Sequence, residues 1–391
     1  MREFIYNAKA GFPVYLIAIN MRTGIAIITP ILTVIGMDLG LSTIELAWLA
    51  AIPVLCFSLV TPVVGWLYRL GSVDRVISLS MWLLALALML RGTGSIFALF
   101  FFTLIMGIST AVLNVMLPAW VKLHGGSHAG VITGSYVMLM GIAAALALAV
   151  AAPLSSATRY GWQLAMLPWG VMATVAAIWW QLRLRNQDLR QLHSQQQPGW
   201  RLLLTNKRAW QVTMFFGLQS MNAYAAGTWI PTILLDRGFQ LSVAGLTVAI
   251  ISLIGAIAAT YVPHLATTRS DQRSILWWFS IITAIGYFGL LIDSGWRLAF
   301  WVFLALLGQA ATFPLSLILV VLRSGSAGEA QALSTMMQGI GYLIAATGPL
   351  LIGVLVEVSG GWTLGLTAML GIVLLQGITA AGAGRAGTIS P

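Results

Sequence analysis

Residues 183–207 read RLRNQDLRQLHSQQQPGWRLLLTNK. This is the one long polar run in a chain of 391 residues that is 59% hydrophobic and 8% charged. A soluble domain carries about 25% charged residues. A water-soluble globule could not bury so much apolar surface behind so thin a polar skin. The composition therefore excludes a soluble enzyme, a nucleic-acid-binding domain and a disordered chain. On each side of the polar run lie six apolar segments of spanning length. Those before it are 12–36, 44–68, 75–91, 95–121, 129–153 and 161–182. Those after it are 208–235, 243–266, 273–292, 296–322, 329–356 and 362–383. The segments do not alternate in polarity, so they read as helices rather than barrel strands. The chain is thus an all-α membrane protein of 12 transmembrane helices. Residues 1–182 form an N-terminal six-helix half, 183–207 a cytoplasmic linker and 208–391 a C-terminal six-helix half. The leucine spacing and basic character of the linker suit a helix on an anionic membrane surface. A solvated connection fits equally.

The net charge of +10 follows from topology, because cytoplasmic loops of membrane proteins carry excess Lys and Arg. With the N-terminus inside, fifteen basic residues face the cytoplasm: Arg2, Lys9, Arg69, Arg75, Lys122, Arg183, Arg185, Arg190, Arg201, Lys207, Arg208, Arg269, Arg273, Arg323 and Arg385. Four face outward: Arg91, Arg159, Arg237 and Arg297. The expectation is a multi-pass inner-membrane protein with both termini cytoplasmic. The single cysteine, Cys56, has no thiol neighbour and reads as a small core residue. Residues 1–10 are only weakly basic, and the apolar run after them exceeds signal-peptide length, so it reads as a retained first helix.

The two halves repeat one another. MRTGIAIITP at 21–30 aligns with MNAYAAGTWIP at 221–231. Leu41-Ser42 matches Leu241-Ser242, and Ala129-Gly130 matches Ala327-Gly328. Met140-Gly141-Ile142 matches Gln338-Gly339-Ile340, Pro153 matches Pro349, and Gly161-Trp162 matches Gly361-Trp362. All offsets lie between 196 and 201. Six spans per half is an even number, so both halves start on the same side. They are two parallel six-helix repeats about an axis along the membrane normal, the arrangement of the major facilitator fold, with substrate bound between them near mid-membrane.

Arg22 belongs to neither side. It lies ten residues into the first run, about 15 Å deep at 1.5 Å per residue. An arginine at that depth costs about 2.5–3.5 kcal/mol on insertion scales, so it is expected to face a wet cavity or an acid. The ten acids are Glu3, Asp38, Glu45, Asp74, Asp188, Asp236, Asp271, Asp293, Glu329 and Glu357, and each falls in a loop or at a span end. A planar guanidinium fork without a protein carboxylate suits a small bound anion. Donation to backbone carbonyls, tying helices together, is the competing role. Asn20, Thr23 and Thr29 lie close by in sequence. Other polar residues within spans are Asn114, Tyr136, Gln219, Asn222, Tyr224, Trp229, Gln309, Thr312, Thr335 and Gln338. The candidate substrate-binding set is Arg22, Asn20, Asn114, Asn222, Gln219, Tyr224, Trp229, Gln338 and Tyr136, since amides and phenols orient small polar solutes. For each, a helix-to-helix hydrogen bond is the alternative. Pro118 and Pro314, each in the fourth helix of its half, are candidates for functional bends.

Four segments resemble a known family: Asn20-Met21-Arg22; Asn114-Val-Met-Leu-Pro118 with Lys122; Tyr224 through Trp229-Ile-Pro231; and Met337-Gln338-Gly339-Ile340-Gly341-Tyr342 with Pro349. The chain resembles major facilitator superfamily transporters, and within them the cyanate and nitroimidazole (CynX/NimT) group. The resemblance implies a secondary transporter for small, often anionic solutes. Two departures stand out. Thr23 follows the helix-one arginine where the family often has proline. The cytoplasmic loop between the second and third spans, with Gly65, Arg69, Gly71, Asp74 and Arg75, lacks the expected acid spacing. The loop Arg269-Ser-Asp271-Gln-Arg273 is a similarly thin version. Asp74, Arg75, Asp271 and Arg273 are nonetheless the candidate gating residues, holding the halves together through acid–arginine pairs.

The sequence has no P-loop, HExxH or GxSxG motif, and its histidines (His124, His128, His193 and His264) form no ligand cluster. No enzyme, cofactor, metal or nucleic-acid partner is expected. The expected partners are a small anionic substrate and the bilayer, with the chain as a monomer. Efflux of a neutral aromatic such as a nitroimidazole is the second transport reading. A non-transporting membrane sensor is the third.

Overall fold

The computed structural model describes residues 2–63, 72–124, 128–157, 161–184 and 200–389. Most of the linker (185–199), the loop carrying Gly65, Arg69 and Gly71, and Arg159 lie outside the described residues. The described residues are helices joined by turns and short loops, with no strand among them. The N-terminal half contains α1 (Arg2–Ala26), α2 (Leu32–Leu39), α3 (Thr43–Val60), α4 (Val73–Leu90), α5 (Ile96–His124), α6 (Ala129–Ser156) and α7 (Gly161–Leu184). The C-terminal half contains α8 (Lys207–Asp236), α9 (Leu241–Thr267), α10 (Arg273–Ile292), α11 (Leu298–Leu322), α12 (Ala327–Ser359) and α13 (Trp362–Ala383). Ten helical segments among the described residues are long and apolar enough to cross a bilayer.

The first apolar run is not the single helix that its hydropathy suggests. It breaks between α1 and α2, where a 3-10 turn covers Thr29–Ile31. Pro30 has no N–H to continue the ladder. The Thr29 hydroxyl donates to the Ala26 carbonyl at 3.1 Å. Breaks of this kind persist at membrane depth only where protein groups or a cavity satisfy the freed backbone.

Within each half the helices pack on one another, and the halves meet mainly along two seams, α3 against α12 and α6 against α9. These are the second and eleventh spans and the fifth and eighth. Small residues make the close approaches possible. At Gly348 on α12, a Cβ would sit 2.3 Å from the Met221 carbonyl oxygen of α8. Two hydrogen bonds cross the α3–α12 seam. Ser58 Oγ donates to the Gly339 carbonyl at 2.6 Å, and the Ile44 N–H donates to the Glu357 carboxylate at 3.0 Å.

The duplication read from sequence recurs as matched contacts. Trp162 Nε1 donates to Asp38 Oδ2 at 2.7 Å, and Trp362 Nε1 donates to Asp236 Oδ2 at 2.5 Å. Each pair ties the last span of its half to the far end of the first. The aspartates, like the tryptophans, stand one repeat apart.

The candidate gating residues Asp74, Asp271 and Arg273 make the following contacts. Asp74 is buried and accepts from Trp120 Nε1 at 2.9 Å, while its backbone carbonyl accepts from Trp180 Nε1 at 3.0 Å. All three residues belong to the N-terminal half. Arg183 lies over the Trp120 and Trp180 rings, 4.8 and 5.2 Å from their centroids. Asp271 pairs with its neighbour Arg273 at 2.8 Å, in an exposed loop. Arg323, buried, donates to the Gln272 side chain and to the Gly384 carbonyl at 2.8 Å. Among the described residues these groups brace each half internally rather than bridge the two. The reason is local: each sits at a helix end where its own half supplies the nearest partners.

Candidate functional site

Arg22 lies ten residues past Phe12 on α1, which continues to Ala26 before the break and so carries the guanidinium into the interior between the halves. There it lines a cavity of about 370 Å³. The walls come from both halves: Ile25, Ala26, Ile28 and Thr29 at the broken first span, Leu49, Ala50 and Pro53 on α3, and Ala144 and Leu148 on α6. The C-terminal half adds Ser220, Tyr224 and Thr228 on α8, Val248 and Ser252 on α9, and Leu306, Gln309 and Phe313 on α11. Most of the surface is aliphatic or aromatic, with a few hydroxyls and one amide. That is the usual make-up of a small-molecule site. None of the lining residues is an Asp or Glu.

Arg22 Nη1 donates to the Tyr224 hydroxyl at 3.5 Å, from one half to the other. Tyr224 stands over Tyr342, with ring centroids 6.4 Å apart. Tyr342 in turn packs on Phe57 at 5.3 Å and on Phe216 at 5.1 Å. These rings come from α3, α8 and α12. They form a floor under the cavity on the side of the bundle that carries both termini. At the opposite end, the backbone of Gly245 lies close to Pro30 and to the Leu148 carbonyl, where an added Cβ would be 3.5 and 3.2 Å away.

The structure brings together two of the nine residues expected in the site, Arg22 and Tyr224. The others do not line this cavity. Asn20 turns back along its own helix and donates to the Leu16 carbonyl at 2.8 Å. Asn222, fully buried, donates to the Met369 carbonyl of α13 at 3.2 Å. Gln219 donates to Ser220 Oγ at 3.2 Å, and its backbone carbonyl accepts from Gln309 at 2.9 Å. Trp229 Nε1 donates to the Pro349 carbonyl at 3.0 Å, tying α8 to α12. Gln338 donates to Ser334 Oγ one turn earlier, at 2.9 Å. Tyr136 is buried and Asn114 half-buried, both away from the lining. Helix-to-helix or intrahelical bonding accounts for these polar groups where bonds are formed, as lipid-buried polar groups require. Helical phase decides the outcome: Tyr224 stands two residues past Asn222, so the two point in different directions from α8.

Arg91 is the site residue that sequence reading missed. Placed among the outward-facing charges, it caps α4 but turns inward and is only 1% exposed. It lines the same cavity as Arg22. Its Nη1 donates to the Gly24 carbonyl at 2.6 Å and contacts Met106 Sδ at 3.3 Å, while Nε and Nη2 have no hydrogen-bond partner. Gly24 lies one turn before the break in the first span, so its carbonyl is free to accept. The sequence held one signal: Arg91 directly follows an unbroken apolar run, as Arg22 sits within one.

A profile of the Major Facilitator Superfamily matches residues 14–346. The chain is 34% identical over 371 residues to the uncharacterized transporter YycB of Bacillus subtilis (strain 168), covering 94% of this chain and 92% of that one. It is 31% identical over 372 residues to the 2-nitroimidazole transporter of Escherichia coli (strain K12), covering 95% and 94%. It is 24% identical over 365 residues to the cyanate transport protein CynX of Escherichia coli (strain K12), covering 92% and 94%. Among solved structures, a bacterial homolog of the human lysosomal transporter Spinster, in an inward-facing and occupied conformation, superposes with a TM-score of 0.81 at 14% identity, over 97% and 96% of the two chains.

Proposed function

The chain belongs to the Major Facilitator Superfamily, and on that premise we propose that it carries a small organic or inorganic anion across the inner membrane by alternating access. Both termini lie in the cytoplasm by the positive-inside rule, and the monomer is the working unit. Transport proceeds down the substrate's own gradient or by coupling to another solute. The observation that carries the reading is the position of Arg22. Its guanidinium lines a cavity enclosed by both halves, no acid lies in that lining, and its protein partner there is a neutral phenol. A half-buried cation at this depth without a counter-charge is unfavourable, and a bound anion supplies the charge. No covalent step is needed. Recognition rests on charge-assisted hydrogen bonds and shape.

Rocking of the two halves about this site would expose it to each side in turn, with the α3–α12 and α6–α9 seams as the sliding contacts. The floor of Phe57, Phe216 and Tyr342 would then part when the site opens toward the termini.

A second reading is efflux of a neutral aromatic. The apolar walls and the 31%-identical relative named as a 2-nitroimidazole transporter support it. The two readings separate in proteoliposomes loaded with small carboxylates, cyanate or 2-nitroimidazole. Under the anion reading, Arg22→Ala abolishes anion flux while the protein still inserts and purifies as a monodisperse species. Wild-type anion flux in that variant overturns it, and flux confined to the neutral compound selects the second reading.

A further inference from the structure

The cavity holds a second arginine. We propose that Arg91 is the partner of Arg22 in a two-guanidinium site, and that the site takes a monocarboxylate with an apolar or aromatic body rather than a three-atom anion. This rests on the anion reading above and specifies its ligand.

The argument begins with charge. Both arginines line one cavity, and no carboxylate lines it with them. Arg91 is more deeply buried than Arg22, and two of its three guanidinium nitrogens lack any hydrogen-bond partner. Burying an unpaired cation is strongly unfavourable. The Gly24 carbonyl and the Met106 sulfur offset part of this as dipoles, not as charges. The unpaired edge of Arg91 is the largest unmet electrostatic demand among the described residues of this region.

Geometry then brings both charges to the wall formed by the first span. Arg91 reaches it at the Gly24 carbonyl, from the side of Met106 on α5, and Arg22 extends from the same helix toward Tyr224 on α8. The remaining walls, such as Leu49, Leu148, Val248, Leu306 and Phe313, are apolar. One carboxylate has two oxygens, enough to address two guanidinium groups. The apolar walls call for a body that displaces water. A volume of about 370 Å³ falls in the range of sites for drug-sized ligands, about 300–1,000 Å³. A linear triatomic anion would leave most of it unfilled.

A role confined to bracing is the rival account, in which Arg91 only satisfies the Gly24 carbonyl. Two variants separate the accounts. Arg91→Gln keeps an amide donor for that carbonyl and removes the charge. Met106→Glu places a carboxylate beside Arg91 and gives it an internal counter-ion. The probes are benzoate, its neutral isostere benzamide, and cyanate, titrated calorimetrically into detergent-purified protein. The expected result has three parts. Benzoate binds the wild type at least tenfold more tightly than benzamide or cyanate. Arg91→Gln and Met106→Glu each weaken benzoate at least tenfold. Benzamide binding stays within twofold in both variants, and Met106→Glu does not lower the unfolding temperature. If Arg91→Gln fails to fold, Met106→Glu alone decides the question. Benzoate binding unchanged in a folded Arg91→Gln or in Met106→Glu overturns the proposal, as does cyanate binding as tightly as benzoate. If Arg22→Gln in the same assay still abolishes benzoate binding, only the role of Arg91 falls. If Arg22→Gln is also without effect, the anion reading falls with it.

Discussion

The guanidinium of Arg22 and the phenol of Tyr224 meet at 3.5 Å across the boundary between the two halves. They stand near equivalent points of the internal repeat, on the first helix of each half. A charged residue in one half therefore faces a neutral donor–acceptor in the other. This asymmetry leaves the charge for a ligand to neutralise. Replacing Tyr224 by Phe removes the only hydroxyl on that ring and keeps its edge-to-face contact with Tyr342. A hydrogen bond with one charged partner is worth about 1.5–3 kcal/mol at good geometry, and this one is weaker because it is stretched to 3.5 Å. Anion affinity in Tyr224→Phe is therefore expected to change by about two- to tenfold, far less than on loss of Arg22. Equilibrium binding to both variants checks the contrast.

The Asp38–Trp162 and Asp236–Trp362 pairs are matching braces in the two halves. Hydrogen bonds to charged groups contribute about 1.5–3 kcal/mol. Asp38→Asn and Asp236→Asn should each destabilise the protein by up to that amount. The sites share no partner, so the double variant should show the sum. Thermal unfolding in detergent measures it, and strong non-additivity would show that the braces are coupled.

Gly286 on α10 lies against the backbone of Ala305 on α11. A Cβ there would stand 2.4 Å from the Ala305 nitrogen. Backbone cannot yield as a flexible side chain can. Gly286→Ala is expected to cost about 1–3 kcal/mol through overpacking, read as a lowered unfolding temperature. Anion affinity should be little affected, because neither residue lines the cavity.

The Glu357 carboxylate accepts the Ile44 N–H at the start of α3 and so clips the halves together at the end away from the termini. Glu357→Gln weakens that clip and its favourable interaction with the helix N-terminus. In a Cys56→Ser background carrying Ala50→Cys on the cavity wall, a membrane-impermeant maleimide should label faster by about two- to tenfold, the equivalent of one hydrogen bond. An unchanged labelling rate would show that the clip does not control access from that end.

Hydrogen bonds from the Arg273 side chain and backbone hold the Asp271 carboxyl below its ordinary value of 3.8. The folded form thus prefers the ionised acid. The stability it adds is present above the ordinary value and is lost as the pH falls through the depressed one. The pair is exposed, so the effect is small. Acid unfolding of Asp271→Asn, followed from pH 5 downward, should run slightly shallower than wild type and coincide with it at the lowest pH.

How much was legible beforehand differs between residues. Arg22 could be found because hydropathy marks any ion inside an apolar run, and Tyr224 because it sits in the matching segment of the repeat. Asn222 lies in that segment and Gln219 just before it, yet Asn222 bonds α13 and the Gln219 side chain bonds Ser220. Periodicity along one helix does not say which of several neighbours a given face meets. Arg91 ends its helix and scored as a loop charge, because depth in a bilayer is a property of the side chain's path and not of the Cα position. The break between α1 and α2 was likewise hidden. Its cause, Pro30, was visible, but Gly24's freed carbonyl becomes meaningful only when Arg91 arrives from α4.

The amino-acid sequence by itself determined the membrane class, the helical class and the duplication. These depend on how apolar residues are ordered along one dimension, where the transfer of each segment into lipid is close to a sum over its residues. Only the tertiary structure decided which polar groups share the cavity, that Asp74 and Asp271 bond within their own halves, and that two arginines line one cavity. Those outcomes depend on helix rotation and on contacts between segments distant in sequence, and no sum along the chain contains them.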